Sequence, residues 1–356
     1  MKIVLHSTRY WPDIGGMESV GRLLVRGWTM AGDDVTVVSG SLRLCSSTRT
    51  TSRQLLSAGT ESSELSATVI RDPSLFEFLS LARTADAVVQ ANISLPATWI
   101  LKLFSKQLLV VHHTWYASTQ RWKDLLKLFT SRFVKNVAVS TELRNHLPKR
   151  DATVIPNPFD SELFCSKPEK ELRAGDILFV GRLVSDKGVD VLLRSVAKLI
   201  MEFPDLRVTI VGDGDEAPAL KTLSTSLHLD GCVQFKGSQE GEVLAGTYRQ
   251  HKIVVVPSQW EEPFGVVVLE ALASGCDVVV TPSGALPSVL GSFGVVALDK
   301  SEPSITNSIR SLLHQSSDRR EFGQTTGAAP EVSEYLHQFH PDRVAAAYRA
   351  LFEVTR

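Results

Sequence analysis

Two carboxylates stand in the stretch EEPFGVVVLEALASG, residues 261–275: Glu262 just before Pro-Phe-Gly, and Glu270 inside an apolar run. A residue before proline is pushed out of the α region, so Glu262 is expected just outside a helix. Pro263 suits a first helical position, where its missing N–H costs little. The expected helix runs from about Phe264 to Ser274 and stops at Gly275. The free N–H groups of Phe264, Gly265 and Val266 would form an anion site, and Gly265 lets a phosphate approach the backbone closely. A phosphate repels Glu262, whose chemistry is instead to accept hydrogen bonds from hydroxyls. If the whole stretch were helical, Glu270 would lie about 12 Å further along the axis. Its side chain would lean back toward the N-terminus. A ligand with hydroxyls on both sides of a diphosphate, a nucleotide-sugar, fits that layout. Two solvated glutamates on a half-buried helix fit the spacing equally well.

Further segments carry chemistry-bearing residues. FVGRLVSDKGVDVLLRSVAKL, residues 179–199, reads as strand, Gly-containing loop and helix, with Arg182 and Lys187 bracketing the loop. Two cations beside a helix N-terminus can neutralise a diphosphate and stabilise it as a leaving group; ordinary loop charges are the plainer alternative. Gly15-Gly16 opens a helix expected to continue to about Met30, and a glycine pair there permits close approach of a phosphate or sugar. It is not GxGxxG, so a dinucleotide fingerprint is absent. His112 and His113 end the strand LLVVHH. Strand alternation sends them to opposite faces, so they are not expected to chelate one metal together. Either could act as a hydrogen-bonding or acid–base group, or be merely structural. Asp213-Gly214-Asp215 could hold a divalent cation with a nucleotide diphosphate, but a Gly-rich turn after a strand explains it better. No other carboxylate or His cluster has metal spacing. The expectation is therefore no metal and no cofactor.

These residues need elements to hold them. At 356 residues the chain is sized for about two domains. Short β-rich runs (KIVLH, DVTVVS, ADAVVQ, QLLVVH, NVAVS, ATVIP, then DILFVG, LRVTIVG, CVQFKG, KIVVVPS, CDVVVTP) alternate with amphipathic segments, which argues for parallel, doubly wound sheets in an α/β protein. The pattern restarts after VIPNPFD and the polar SKPEKELRAG, so a boundary falls near 158–174. We read residues 1–165 as one Rossmann-like domain and 166–338 as a second. Residues 339–356 read as a C-terminal helix, started by Pro341 and Asp342, that packs back on the first domain. Ser/Thr-rich residues 45–66 read as a loop. Ligands of open α/β sheets sit outside the carboxyl ends of the strands, so a cleft facing those ends is expected.

Residues 1–165 carry 19 lysines and arginines against 14 acids, a net +5, and the remainder carries 19 against 25, a net −6. Residues 100–150 hold ten of the basic residues against Asp124 and Glu142 alone. Within them RWKDLLKLFTSRFVK, residues 121–135, places Trp122, Leu125, Leu126, Phe129 and Phe133 on one helical face. A surface helix of a doubly wound domain needs such a stripe to pack on its core; a basic amphipathic helix can equally lie on an anionic membrane. Nucleic acid is not expected as a partner, for the overall charge is −1 and no binding motif appears. The four cysteines include no CxxC pair and suggest a reducing cytosol. No apolar run approaches the ~20 residues of a membrane span, and the start reads as a buried strand rather than a signal peptide.

Taken in order, GGMES, VVHHT, VSTEL, VIPNPFD, VGRLVSDKG, VGDGDE, FKGS and PSQWEEPFGVVVLEALASG resemble the retaining glycosyltransferase family 4, with its GT-B fold of two Rossmann-like domains. The last, an E-x7-E signature, is the most specific. The resemblance implies a nucleotide-sugar donor, a UDP- or GDP-sugar, in the C-terminal domain and a glycan or lipid-linked glycan acceptor on the N-terminal one. Arg182 and Lys187 match the diphosphate-binding pair, Glu270 the acid that holds the ribose hydroxyls, and Glu262 the acid near the transferred sugar. The amides of Phe264 and Gly265 match those by the phosphate and sugar, Gly16 the N-terminal loop glycine, and His113 the histidine near the reacting carbon. The family needs no DxD metal. Its reaction retains anomeric configuration, and the setting it implies is polysaccharide or glycoconjugate synthesis in the cytoplasm, peripherally on the inner face of the membrane. One departure stands out: after CDVVVTP the family usually has Gly-Gly-x-Pro-Glu, where this chain has Ser283 and Ser288 in place of a glycine and the glutamate. An epimerase or hydrolase on the same fold, or a non-catalytic nucleotide-sugar binder, are the competing readings.

Overall fold

The computed structural model describes residues 1–11, 15–40, 52–57, 66–116, 121–148, 151–165, 175–321 and 330–353. Residues 166–174, Cys45, Lys149, Arg150 and parts of the loops at 41–66 and 114–124 lie outside the described residues. The chain divides into two compact units, Met1–Phe159 with Gln338–Arg356, and Asp160–His337.

Short runs rich in Val, Ile and Leu build the sheet of the first unit: β1 (Lys2–Ser7), β2 (Asp34–Ser39), β3 (Ser52–Ser57), β4 (Ser66–Arg71), β5 (Ala87–Ala91), β6 (Leu108–His112), β7 (Lys135–Ala138) and β8 (Thr153–Val154). Their order is β3-β4-β2-β1-β5-β6-β7-β8. Every pairing is parallel except β3 with β4. Consecutive residues such as Leu109, Val110 and Val111 are all buried, as in a sheet covered on both faces.

The second unit holds β9 (Gly175–Val180), β10 (Val208–Val211), β11 (Val233–Phe235), β12 (His251–Val256), β13 (Asp277–Val280) and β14 (Val295–Val296), in the order β11-β10-β9-β12-β13-β14. All its pairings are parallel. The helix Val189–Leu199 buries Val189, Leu192, Leu193, Val196 and Leu199. That three-and-four spacing makes one apolar stripe, and each such leucine contributes about 1.5–3 kcal/mol when fully buried.

The chain then returns to the first unit. The indole of Trp28 donates to the Ala345 carbonyl (3.2 Å), and its ring meets Tyr348 edge-on at 5.9 Å. Gly27, inside the helix Gly16–Met30, permits this approach: a β-carbon there would lie 2.7 Å from that of Ala345.

Two expectations are corrected, and the apolar stripe of residues 121–135, left open between core and membrane, is located. Residues 45–66 are not all loop, because Ser52–Ser57 pairs antiparallel with β4. The sequence of β3, SRQLLS, shows no alternation of apolar and polar residues, the signal by which a half-buried strand is read. The helix of the E-x7-E stretch begins at Val266, so Pro263 is not its first residue. Gly265 sits at φ 116°, outside the helical region, and breaks the run that Pro263 was expected to start. Finally, the helix Arg121–Ser131 does not turn its stripe to the core. Trp122, Leu125, Leu126 and Phe129 are exposed, as is Phe133 just beyond, while Asp124, Thr130 and Ser131 are buried.

Candidate active site

In each unit, strands added to one side of the sheet and then to the other leave a switch point, where the loops at the carboxyl ends diverge. In the second unit that point lies between β9 and β12. The loop after β9 carries Arg182 and Lys187, and the loop after β12 carries Glu262.

Backbone bonds lace these loops together: the amides of Gln259 and Trp260 donate to the Asp186 carbonyl at 2.8 and 3.2 Å. Residues Ser185–Lys187 form a single 3₁₀ turn ending at Gly188, whose φ is 67°. A β-carbon on Gly188 would lie 2.1 Å from the Pro257 carbonyl oxygen, so the approach requires glycine. The turn delivers Lys187 Nζ to 2.6 Å from Glu262 Oε1. Ser258 Oγ donates to the same oxygen at 2.7 Å. Ser258 is held in turn by Thr281 Oγ1 and Ser283 Oγ, which donate to its carbonyl at 2.8 and 2.7 Å. The Ala285 amide donates to the Glu262 carbonyl at 2.8 Å. Glu262 is buried, and a buried carboxylate stripped of such partners costs several kcal/mol, on the order of 3–5. Arg182, on the same loop as Lys187, is exposed.

Glu262 and Lys187 are thus in direct contact, which their separate expected roles did not foretell. Ser258 and Thr281 were missed, and Ser283 was noted only as a departure from the family pattern. Ser283 belongs to the very stretch that departs from the family pattern, and its hydroxyl serves this network.

Beyond Gly265, the helix Val266–Ala273 presents the amides of Val266 and Val267 at its open end, while Val268 N donates to Gly265 O (3.0 Å). Phe264 is buried. Glu270 lies further along the same helix, where the Tyr248 hydroxyl donates to its Oε2 at 2.8 Å. Burial raises the Glu270 carboxyl to about 7, with the hydrogen bond from Tyr248 pulling down and the charge of Asp160 pushing up. Tyr248 comes from the helix Gly241–Arg249 and carried no signal in the sequence.

The first unit repeats the logic. Its switch point lies between β1 and β5. Gly15 stands at the start of the helix Gly16–Met30 that follows β1, and Ser19 N donates to Gly15 O (3.1 Å). A β-carbon on Gly15 would lie 2.4 Å from a carboxylate oxygen of Glu18, whereas one on Gly16 would meet nothing. Asn92 follows β5 in a left-handed conformation, φ 59°. Its amide donates to Met17 Sδ (3.6 Å), and its carbonyl oxygen accepts from the His113 backbone N–H (2.8 Å). Asn92 therefore ties the glycine helix to the histidine, and sequence reasoning missed it.

His112 is fully buried between Tyr116 Oη (2.7 Å from Nδ1) and Asn136 Oδ1 (2.9 Å from Nε2). His113 is half-buried, and its Nδ1 has no hydrogen-bond partner among the described residues. Burial lowers both imidazoles to about 4; for His113 the neighbouring His112 lowers further and a hydrogen bond with Asn157 opposes. Both rings are neutral near pH 7. Asp213 Oδ1 accepts from the Gly214 amide (2.8 Å) inside a tight turn.

This architecture defines a GT-B fold: two Rossmann-like units of mainly parallel sheet, each with a switch point at the carboxyl ends of its strands. Solved structures agree on the fold. The Anabaena protein HepE in complex with UDP and glucose superposes with a TM-score of 0.77 at 17% identity, over 99% of this chain and 100% of that one. Sucrose-phosphate synthase from Thermosynechococcus elongatus gives 0.76 at 20% identity, over 99% of each. Residues 161–327, which lie within the second unit, match the family model of glycosyl transferases group 1. Among curated relatives, the D-inositol 3-phosphate glycosyltransferase of Corynebacterium jeikeium is 40% identical over 134 residues, 35% of this chain and 32% of that protein. The phosphatidyl-myo-inositol mannosyltransferase of Mycolicibacterium smegmatis is 28% identical over 65% of this chain and 60% of that protein. The chain therefore spans between a third and three fifths of these relatives.

Proposed function

We propose that the chain is a glycosyltransferase that moves a sugar, with retention of configuration, from a UDP- or GDP-sugar to a hydroxyl of a glycan or lipid-linked glycan. The observation that carries this reading is the cluster at the second unit's switch point: Lys187 and Ser258 on Glu262, with Glu270 further along the helix that follows. Glu270 takes the ribose hydroxyls. The diphosphate draws Lys187 away from Glu262 and meets Arg182 and the amides of Val266 and Val267. Glu262, released from its cation, accepts from the hydroxyls of the sugar. Negative charge develops on the departing diphosphate, and the two cations and the helix N-terminus stabilise it. His113, in the first unit, is a neutral imidazole near pH 7 and is suited to hydrogen bonding rather than to donating a proton as an acid. The acceptor hydroxyl attacks from the face the leaving group vacates and gives its proton to the departing diphosphate, whose bond to the sugar breaks.

No metal takes part in this scheme. Binding of UDP and GDP sugars, followed by thermal shift, tests it, because a ligand that binds the native state raises the melting temperature. One nucleotide series should shift the protein equally with and without EDTA, and Lys187→Ala should weaken the shift. An EDTA-sensitive shift would return the diphosphate to Asp213 and Asp215. The anomeric proton coupling of the product distinguishes retention from inversion.

A further inference from the structure

The helix Arg121–Ser131 is built inside out. Its large apolar side chains recur at the spacing of one helical face, yet that face is in solvent: Trp122 is 62% exposed, Leu125 65% and Phe129 51%. Its polar residues Asp124, Thr130 and Ser131 are the buried ones. The neighbouring helix Leu95–Phe104 continues the same surface. Trp99 and Leu103 are exposed one turn apart, and the Trp99 ring packs 5.8 Å from that of Phe133. Folded domains rarely leave contiguous large apolar side chains in water, and such a patch marks a docking surface.

Charge says what the occupant is. Residues 95–135 contain a single acid, Asp124, against seven lysines and arginines. Asp124 is turned inward and pairs with Lys127 (3.5 Å). Lys102, Lys123 and Arg132 are exposed beside the aromatic rings. Cations interleaved with Trp and Phe suit the boundary between headgroups and acyl chains. A second copy of the chain fits poorly, because a two-fold contact would set this patch against itself and oppose like charges. We infer that the face formed by the helices Leu95–Phe104 and Arg121–Ser131 docks on an anionic lipid bilayer. Trp99, Leu103, Trp122, Leu125 and Phe129 enter the interface, and the flanking cations meet lipid phosphates.

Cosedimentation with vesicles decides the matter. The protein should bind phosphatidylcholine vesicles doped with phosphatidylglycerol and not phosphatidylcholine alone, and high salt should release it. Each cation near an anionic surface is worth roughly fivefold in partitioning, so Lys102→Glu with Lys123→Glu should lower binding more than about 25-fold. Trp122→Gln with Phe129→Gln should lower it at low salt too, with the circular dichroism unchanged. Equal binding to both vesicle types, or none to the anionic ones, overturns the inference using the wild-type protein alone. So does a dimer in sedimentation velocity that Trp122→Gln with Phe129→Gln abolishes. The nucleotide response is read on the same samples: loss of vesicle binding with intact thermal shifts leaves the donor site standing, and the reverse result leaves the membrane face standing.

Discussion

Glu270 holds a proton over part of the neutral range because burial opposes its charge. A ribose diol donates hydrogen bonds and therefore prefers the ionised carboxylate. As the pH falls through about 7, the proton removes one acceptor. Affinity for the favoured nucleotide should drop several-fold between about pH 8 and pH 6. Glu270→Gln should bind more weakly and show no such dependence. Titration calorimetry across that range checks it, and identical profiles for the two proteins would take Glu270 off the ligand. At this scale the sequence revealed unevenly. Glu262, Glu270, Arg182 and Lys187 stood out because charged residues at fixed spacing beside glycines are uncommon. Their pairing did not, since Lys187 and Glu262 are 75 positions apart and only the folded loops join them. Ser258, Tyr248 and Asn92 were invisible, because hydroxyl and amide residues fill loops for many reasons.

The elements were legible where burial imposes a period. Most inner strands are dominated by Val, Ile and Leu, although β4 inside the first sheet was passed over, and the stripe of Val189–Leu199 announces its helix. The edges were not: β14 is two residues long and β3 is polar. The Arg121–Ser131 helix was recognised as amphipathic, but a hydrophobic stripe states only that something must cover it, not what. Helix propensity can mislead as well. Gly27 lies mid-helix, where alanine would ordinarily gain about 1 kcal/mol. Here the new methyl would meet Ala345 at 2.7 Å and the Pro341 carbonyl at 3.2 Å. Gly27→Ala should instead destabilise the first unit by about 1–3 kcal/mol, read from the midpoint of urea unfolding.

The two units respond to acid in opposite senses through their buried groups. In the first unit His6, His112 and His113 are each lowered to about 4, chiefly by burial. Between the unfolded value of 6.5 and that folded value, the unfolded chain binds more protons than the fold does. The first unit is therefore expected to lose stability as the pH falls through this window, by up to about 1.4 kcal/mol per pH unit for each histidine. Glu270 in the second unit works the other way. Its carboxyl is raised from 4.5 to about 7, so the fold holds the proton more tightly, and that contribution fades as the pH rises through the interval. Calorimetry at about pH 7 and pH 5 should show one transition falling in acid. A bound nucleotide identifies the second unit's transition, and that one should be the less acid-labile. If the nucleotide-sensitive transition is the one that collapses, the assignment of buried protons is wrong.

The return of the helix Pro341–Glu353 to the first unit also sets an order of events in the cell. Trp28 and Gly27 are made early, yet the surface they face arrives only after the whole second unit has been translated. At synthesis rates of about 5–20 residues per second, the second unit can fold while the first still waits for its closing helix. A nascent chain stalled before residue 341 would expose an unsealed apolar groove along the helix Gly16–Met30.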